Sequence, residues 1–191
     1  MGYVSMMPKV AVLLFALLVA VPGSPQNGVR DADDDQSLFC ADIPVTHSAS
    51  IPKNVLSVLL QTDAGRDGFV TTNECIAAHR CNADRNDPAT LFRAIEVHLA
   101  SRAEADLLVI GICPMCGVDN DWFWLVRSVD KQPTVVLWAG GNCIQLLRSQ
   151  TNGLSDVQSA WSSGAGTSTR TYRFNGRVYK QRKEQWREDK P

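Results

Sequence analysis

The chain has 191 residues and a formal net charge of −1, from 19 Lys and Arg against 20 Asp and Glu. This balance argues against a dedicated nucleic-acid-binding protein, which needs a strong basic excess. The length suits one domain with a real hydrophobic core and is short for two.

The N-terminal segment has the layout of a secretory signal peptide. Lys9 precedes an unbroken apolar run over residues 10–21, and the small, helix-breaking residues 22–25 follow it. The apolar run is too short to cross a bilayer. We therefore expect cleavage near Gly23, a secreted or periplasmic location and no transmembrane segment in the mature protein.

The rest of the chain divides by composition. Residues 24–36 are rich in Pro, Asn, Gly and Asp without a periodic apolar pattern, which is typical of a disordered linker. We expect a single α+β domain over residues 37–186 and a short tail at 187–191, after the signal peptide at 1–23.

Two short helices are predicted in residues 50–92. Ser50 is a suitable cap, Pro52 falls in the first turn, and residues 55–60 carry an apolar stripe at helical spacing. A second helix is predicted to begin at Thr71 or Thr72 and to end near residue 79.

Residues 87–99 fit two patterns. Asp87 as cap, with Leu91 and Ile95 on one face, indicates an amphipathic helix. Ile95, Val97 and Leu99 also alternate with polar residues, as in a half-buried strand. Periodicity alone does not decide between them.

From Asp106 onward the pattern predicts strands. An apolar run at 107–112 is typical of a central strand, and strands at 122–129 and 134–138 flank a hairpin connection at 130–133. Turns at 140–142 and 151–153 bound a strand at 143–149. Strands at 169–174 and 177–181 flank Asn175-Gly176, which favours a type I′ turn. The prediction is one antiparallel sheet of about six or seven strands.

Six cysteines in an exported chain indicate disulfide bonds: Cys40, Cys75, Cys81, Cys113, Cys116 and Cys143. Cys75 and Cys81 are close enough in sequence to bridge across a helix end. Cys113-Pro114-Met115-Cys116 has the Cys-x-x-Cys spacing of a thiol–disulfide oxidoreductase, although no helix follows it to activate the thiolate. The same two cysteines with Cys75 and Cys81 also have a tolerable spacing for zinc.

Residues 63–74 fit the EF-hand calcium loop, which is about 12 residues long. Oxygen ligands would come from Asp63, Asp67, the Phe69 carbonyl, Thr71 and Glu74, with Gly68 at the sharp turn. Gly65 stands where an Asp or Asn ligand is usual. The alternative is a plain turn between two helices, and no other cofactor is expected.

The last predicted hairpin interleaves aromatic and basic side chains. Arg173, Arg177, Tyr179 and Lys180 form a candidate binding surface for a polyanion or an acidic protein. The same pattern describes an edge strand with its aromatic residues inward and its cations protecting the edge.

The second half resembles a group of uncharacterised exported bacterial proteins with a single FG-GAP-like unit, over residues 90–181. The resemblance is carried, in order, by residues 105–109, 122–127, 151–157 and 172–179. In the matching loop, at 97–106, the acidic ligand positions are largely replaced. The resemblance implies a strand at 95–99, which we adopt, and it implies no activity.

The functional expectation is an exported, non-enzymatic binding protein for a protein or an envelope polymer, such as a periplasmic inhibitor. His47, His79 and His98 share no ligand spacing, and neither a nucleophile elbow nor a phosphate-binding loop occurs. The alternatives are the oxidoreductase using Cys113 and Cys116, and a calcium-stabilised structural domain.

Overall fold

The computed structural model describes residues 37–43, 48–78, 81, 84, 87, 90–100, 104–112, 115 and 121–188. The predicted signal peptide and linker lie outside these residues. The elements in chain order are β1 (Leu38–Cys40), α1 (Lys53–Leu59), α2 (Asp63–Ala77), β2 (Phe92–Val97), β3 (Asp106–Gly111), β4 (Asp121–Val129), β5 (Gln132–Gly141), β6 (Cys143–Thr151), β7 (Leu154–Ser163), β8 (Gly166–Phe174) and β9 (Tyr179–Glu188).

The strands build two antiparallel sheets. One has four strands in the order β2-β3-β4-β5, and the other has five in the order β1-β6-β7-β8-β9. The fold is therefore mostly β with two helices in the described residues, and the prediction of a single sheet is wrong. The predictions of a strand near 95 and of a central strand near 107–112 are confirmed, since β2 and β3 occupy these positions.

The chain passes from one sheet to the other at a corner where only Asn142 separates β5 from β6. The backbone of Asn142 donates to the Ala160 carbonyl and accepts from the Ala41 amide. A side chain at Gly141 would collide with the Ala160 carbonyl, since a Cβ there would lie 2.6 Å from that oxygen. The predicted turn at 140–142 is thus a bend that switches sheets.

The four-stranded sheet is the middle layer of the fold. Phe123 and Leu125 on β4 pack in the core shared with the five-stranded sheet. Their neighbours Trp124 and Val126 pack in a second core with the helices. Alternation of side chains along one strand thereby supplies both cores.

Helix α2 begins at Asp63, which is earlier than predicted, and Thr62 caps it. The Thr62 hydroxyl accepts from the Gly65 amide at 3.1 Å and from Trp124 Nε1 at 3.0 Å. A Cβ at Gly65 would lie 2.1 Å from the Leu59 carbonyl oxygen, so glycine is needed for the close approach of α1. Glycine has a low helical propensity, but in α2 it allows the close contact with α1 that a larger residue would prevent.

The hairpin predicted to have a type I′ turn has a different connection, whereas two other hairpins do have the backbone of that turn. Asp130 and Lys131 both have positive φ, as do Asn152 and Gly153, which is the requirement of a type I′ turn. In the last hairpin only Gly176 has positive φ. The Asn175 Oδ1 atom there accepts from the Arg177 and Val178 amides, both at 2.9 Å. A longer connection therefore replaces the predicted type I′ turn, and β9 extends past Gln181 into the predicted tail.

Two disulfides lie within the described residues. Cys40 and Cys143 join β1 to β6 at directly opposed positions, across a sequence separation of 103. Cys75 joins Cys81 beyond the end of α2, with a separation of 6, as the spacing predicts. Cys113 and Cys116 lie outside the described residues.

The two bridges should differ in their effect on stability. Replacing Cys40 and Cys143 by Ser should lower the free energy of unfolding by about 4.7 kcal/mol, because the closed loop is long. The matched control, Ser at Cys75 and Cys81, should cost about 2 kcal/mol for its short loop. Urea unfolding of both double variants measures the difference, and an equal cost would contradict the expectation.

Candidate functional site

The side of β8 and β9 that faces away from the core carries a row of cations. Register pairs Arg173 with Lys180, Thr171 with Lys183, and Thr167 with Arg187, so these side chains share one side of the sheet. Their neighbours Phe174 and Tyr179 pack on the opposite side, in the core between the sheets. We call Arg173, Lys180, Lys183 and Arg187, with the intervening Thr167, Thr169, Thr171 and Gln185, the basic face.

The acidic residues of the same hairpin point to the other side. Glu184 is paired with Arg170 and Glu188 with Gly166 in the register that also places Tyr172 inward. Arg170 Nε donates to Glu184 Oε1 at 3.0 Å, and this hydrogen bond holds the pKa of Glu184 below its usual value. Strand alternation has therefore placed both glutamates on the inward side together with one cation, Arg170, and four cations on the basic face.

The predicted binding residues divide in the same way. Arg173 and Lys180 lie exposed on the basic face, and Arg177 is exposed in the connection between β8 and β9. Tyr179 is only 5% exposed and belongs to the core, so it is not part of this surface. Lys183 and Arg187 also belong to the face, although they are not among the four predicted binding residues; their period-2 spacing with Gln185 is the signal that identifies them.

A buried carboxylate lies beneath one end of the basic face. Asp156 on β7 is 2% exposed, and its Oδ2 accepts from the Ser149 hydroxyl at 2.9 Å. Arg173 Nε lies 3.6 Å from the same oxygen. The other oxygen, Oδ1, has no hydrogen-bond partner among the described residues. Asp156 thus attracts Arg173 and orients it, whereas Lys180, Lys183 and Arg187 make no ion pair with described residues.

A second buried carboxylate lies at the start of β3. Asp106 is 3% exposed; its Oδ1 accepts from Arg127 Nε at 2.8 Å and its Oδ2 from the Leu99 amide at 3.3 Å. Arg127 also donates to Glu104 at 2.7 Å. Burial raises the pKa of Asp106 above its usual value, and the charge of Arg127 opposes that rise. All of its contacts are structural, because they tie the β2–β3 connection to the sheet.

Tyr179 on β9 lies in the core between the sheets and bonds to β7 of its own sheet. Its hydroxyl donates to the Ser155 carbonyl at 2.7 Å. Burial, and then the negative charges of Asp106 and Asp156, raise the pKa of Tyr179, so the phenol stays protonated. The aromatic residue predicted for binding therefore has a structural role.

The predicted calcium loop is not a loop. Asp63, Asp67, Phe69, Thr71 and Glu74 all lie in helix α2, and Asp63 pairs with Arg66. The Gly68 position is explained by packing, because a Cβ there would lie 3.0 Å from the Met115 methyl carbon. Among the described residues, no group of three or more His, Cys, Asp or Glu side chains is placed to hold a metal ion.

Part of the Cys-x-x-Cys motif is described. Met115 is fully buried between α2 and β3, and its amide donates to the Ile112 carbonyl at 2.6 Å. The motif therefore contributes Met115 to the core between the helices and the four-stranded sheet. His98 Nδ1 lies 3.0 Å from the Glu104 carbonyl oxygen, and His47 and His79 lie outside the described residues.

A shallow cavity of about 190 Å³ lies between the start of α1 and the β4–β5 turn. Asn54, Val55, Arg127, Ser128 and Lys131 are among the residues that line it. Its volume is below the roughly 300–1,000 Å³ of ordinary small-molecule sites. The basic face is therefore the stronger candidate for a functional site.

No protein-family model, curated protein or solved structure matches this chain. The resemblance to exported proteins with an FG-GAP-like unit accordingly remains a prediction. In the described part of the chain, no helix combines the length and apolar character needed to span a bilayer.

Replacing Tyr179 by Phe should lower the free energy of unfolding by about 1–3 kcal/mol, because the buried Ser155 carbonyl loses its donor. Tyr172 is a matched control, since it lies in the same core but its hydroxyl bonds to no described residue. Tyr172→Phe should change stability little. Urea unfolding measures both variants, and equal losses would contradict the structural role of the Tyr179 hydroxyl.

Stability should depend on the ionisation of Asp106. Its pKa in the folded state lies above the ordinary value of 3.8, so the native state binds this proton more tightly than the unfolded chain. The contribution of Asp106 should therefore fall as pH rises from about 4 through the raised pKa, and stay constant above it. Asp121, whose pKa burial also raises, contributes in the same direction.

Urea unfolding between about pH 4 and pH 8 tests this dependence. Asp106→Asn should flatten the profile relative to the wild-type protein and leave the contribution of Asp121 in place. An unchanged or steeper profile in the variant would show that Asp106 does not titrate in this way.

Proposed function

We propose that this protein is an exported, non-enzymatic binding protein whose basic face recognises an anionic partner, either an acidic protein or an acidic envelope polymer. The observation that supports the proposal is the segregation of charge on the β8–β9 hairpin. Four of the cations of these strands lie on the outward side, whereas both acidic residues lie on the inward side, where Arg170 neutralises Glu184.

Protection of the sheet edge alone does not require this arrangement. β9 is the edge strand of the five-stranded sheet, so charged residues on it prevent pairing with other chains. Cations on either side of the strand would serve that purpose equally well. Placing Lys180, Lys183 and Arg187 on one side, together with Arg173 on the neighbouring strand, instead creates a directed positive potential.

The surroundings of the cations also suit a binding surface. Thr167, Thr169 and Thr171 lie between them on β8, and their hydroxyls can both donate and accept hydrogen bonds. A polymer with regularly spaced negative charges can follow such a surface along the strand direction. The buried carboxylate of Asp156 holds Arg173 in place before a partner arrives, which lowers the entropic cost of binding.

Charge reversal tests the proposal. The double variant Lys180→Glu, Lys183→Glu should bind poly-L-glutamate and the polyuronate alginate at least about tenfold more weakly than the wild-type protein. Wild-type affinity for both polymers should fall as salt is raised, since exposed charges are screened. Titration by biolayer interferometry at several salt concentrations measures both effects.

Lys53→Glu with Lys131→Glu is the matched control, because both residues are exposed, lie outside the basic face and change the net charge equally. This control should retain most of the affinity. Equal loss in the two double variants would show that only net charge matters. Absence of binding to both polymers at low salt would overturn the proposal.

A further inference from the structure

The inward side of the five-stranded sheet is only partly covered. At one end of β8 and β9, Tyr172 and Tyr179 are buried in the core between the sheets. Farther along the same side, the side chains of Arg170 and Glu184 are 46% and 47% exposed, and Trp186 is 48% exposed. The far part of this side is therefore open to solvent.

Two indole rings form the apolar part of this region: Trp186 is exposed and Trp161 is half-buried. Register aligns Trp161 on β7 with Ser168 on β8, and Ser168 with Trp186 on β9. The two ring centroids lie 6.3 Å apart with planes tilted by 40°. Gly166 leaves room for the Trp186 ring, because a Cβ there would lie 2.7 Å from its Cζ2.

A polar network lies directly beside the indoles. Glu184 Oε1 accepts from Arg170 Nε at 3.0 Å and from the Ser168 hydroxyl at 3.3 Å. Glu184 Oε2 accepts from Gln181 Nε2 at 3.3 Å. The carboxylate is therefore held in place by three neighbours while remaining half exposed, so it can accept further hydrogen bonds.

We propose that Trp161, Ser168, Arg170, Glu184 and Trp186, which we call the aromatic platform, bind an uncharged oligosaccharide. The indoles offer flat apolar surfaces for the C–H faces of sugar rings, and Glu184 and Arg170 offer an acceptor and donors for hydroxyl groups. The charges of Arg170 and Glu184 cancel and the exposed Glu188 lies beside them on the same side, so the platform disfavours an anionic ligand, in contrast to the basic face on the opposite side of the sheet.

The exposed area argues against a second copy of the chain as the occupant. A stable dimer buries about 1,200–2,000 Å² with an apolar centre. Here the apolar part is one pair of indoles, and exposed polar residues of β8 and β9 surround it. A narrow aromatic strip flanked by hydrogen-bonding groups suits a linear sugar chain better.

Isothermal titration calorimetry with cellohexaose and chitohexaose tests the platform in the wild-type protein. At least one of these sugars should bind, with a Kd between about 10 μM and 1 mM. Trp186→Ala should weaken binding at least about tenfold. Glu184→Gln keeps the side-chain size but removes the charged acceptor, and it should weaken binding several-fold.

Trp138→Ala is the matched control, because Trp138 is 42% exposed and lies on the four-stranded sheet, away from the platform. It should leave sugar affinity unchanged, and urea unfolding should show that both Trp variants stay folded. The proposal is overturned if neither sugar binds, or if Trp138→Ala loses as much affinity as Trp186→Ala. It is also overturned if sedimentation shows a wild-type dimer that Trp186→Ala abolishes, since the platform would then be an interface between copies.

Discussion

Consecutive residues of β4 point to opposite sides of the four-stranded sheet, and both sides are buried. Phe123 and Leu125 contact the five-stranded sheet, whereas Trp124 and Val126 contact the layer that contains the helices. Burial on both sides requires apolar residues at successive positions and removes a large apolar area from water. The positions of the helices and of the outer sheet both depend on this doubly buried layer.

Buried polar contacts give the packed layers a defined alignment. The Ser155 amide donates to the Leu99 carbonyl at 2.8 Å, which links β7 to the connection between β2 and β3. Within the layers, Asp106 fixes the Leu99 amide and Arg127 on one side of this link, and Tyr179 bonds to the Ser155 carbonyl on the other. Such directional contacts discriminate against shifted packings that hydrophobic burial alone would tolerate.

The five-stranded sheet has an outward side that faces away from the core and an inward side that is only partly covered, and each exposed region is a candidate surface. Its outward side carries the basic face, and the uncovered part of its inward side carries the aromatic platform. The two surfaces lie on the same strands but differ in charge and in aromatic content. We therefore propose that the β8–β9 hairpin contacts an anionic partner on one side and a neutral sugar on the other.

The amino-acid sequence by itself indicated most of the strands after Asp106, because apolar runs and alternation are local properties that turn residues separate. It did not indicate β7 (Leu154–Ser163), where polar residues interrupt the apolar pattern. It also indicated the cross-link between Cys75 and Cys81, since a short separation keeps the two residues close. Tertiary structure decided that the strands form two sheets, because the bend at Gly141 and Asn142 depends on contacts with Ala160 and Ala41. It decided as well that residues 63–74 are helical, since Gly65 and Gly68 are set by the close approach of Leu59 and Met115. The two candidate surfaces likewise required the register of β8 with β9, because which side of a strand is covered depends on residues distant in the chain.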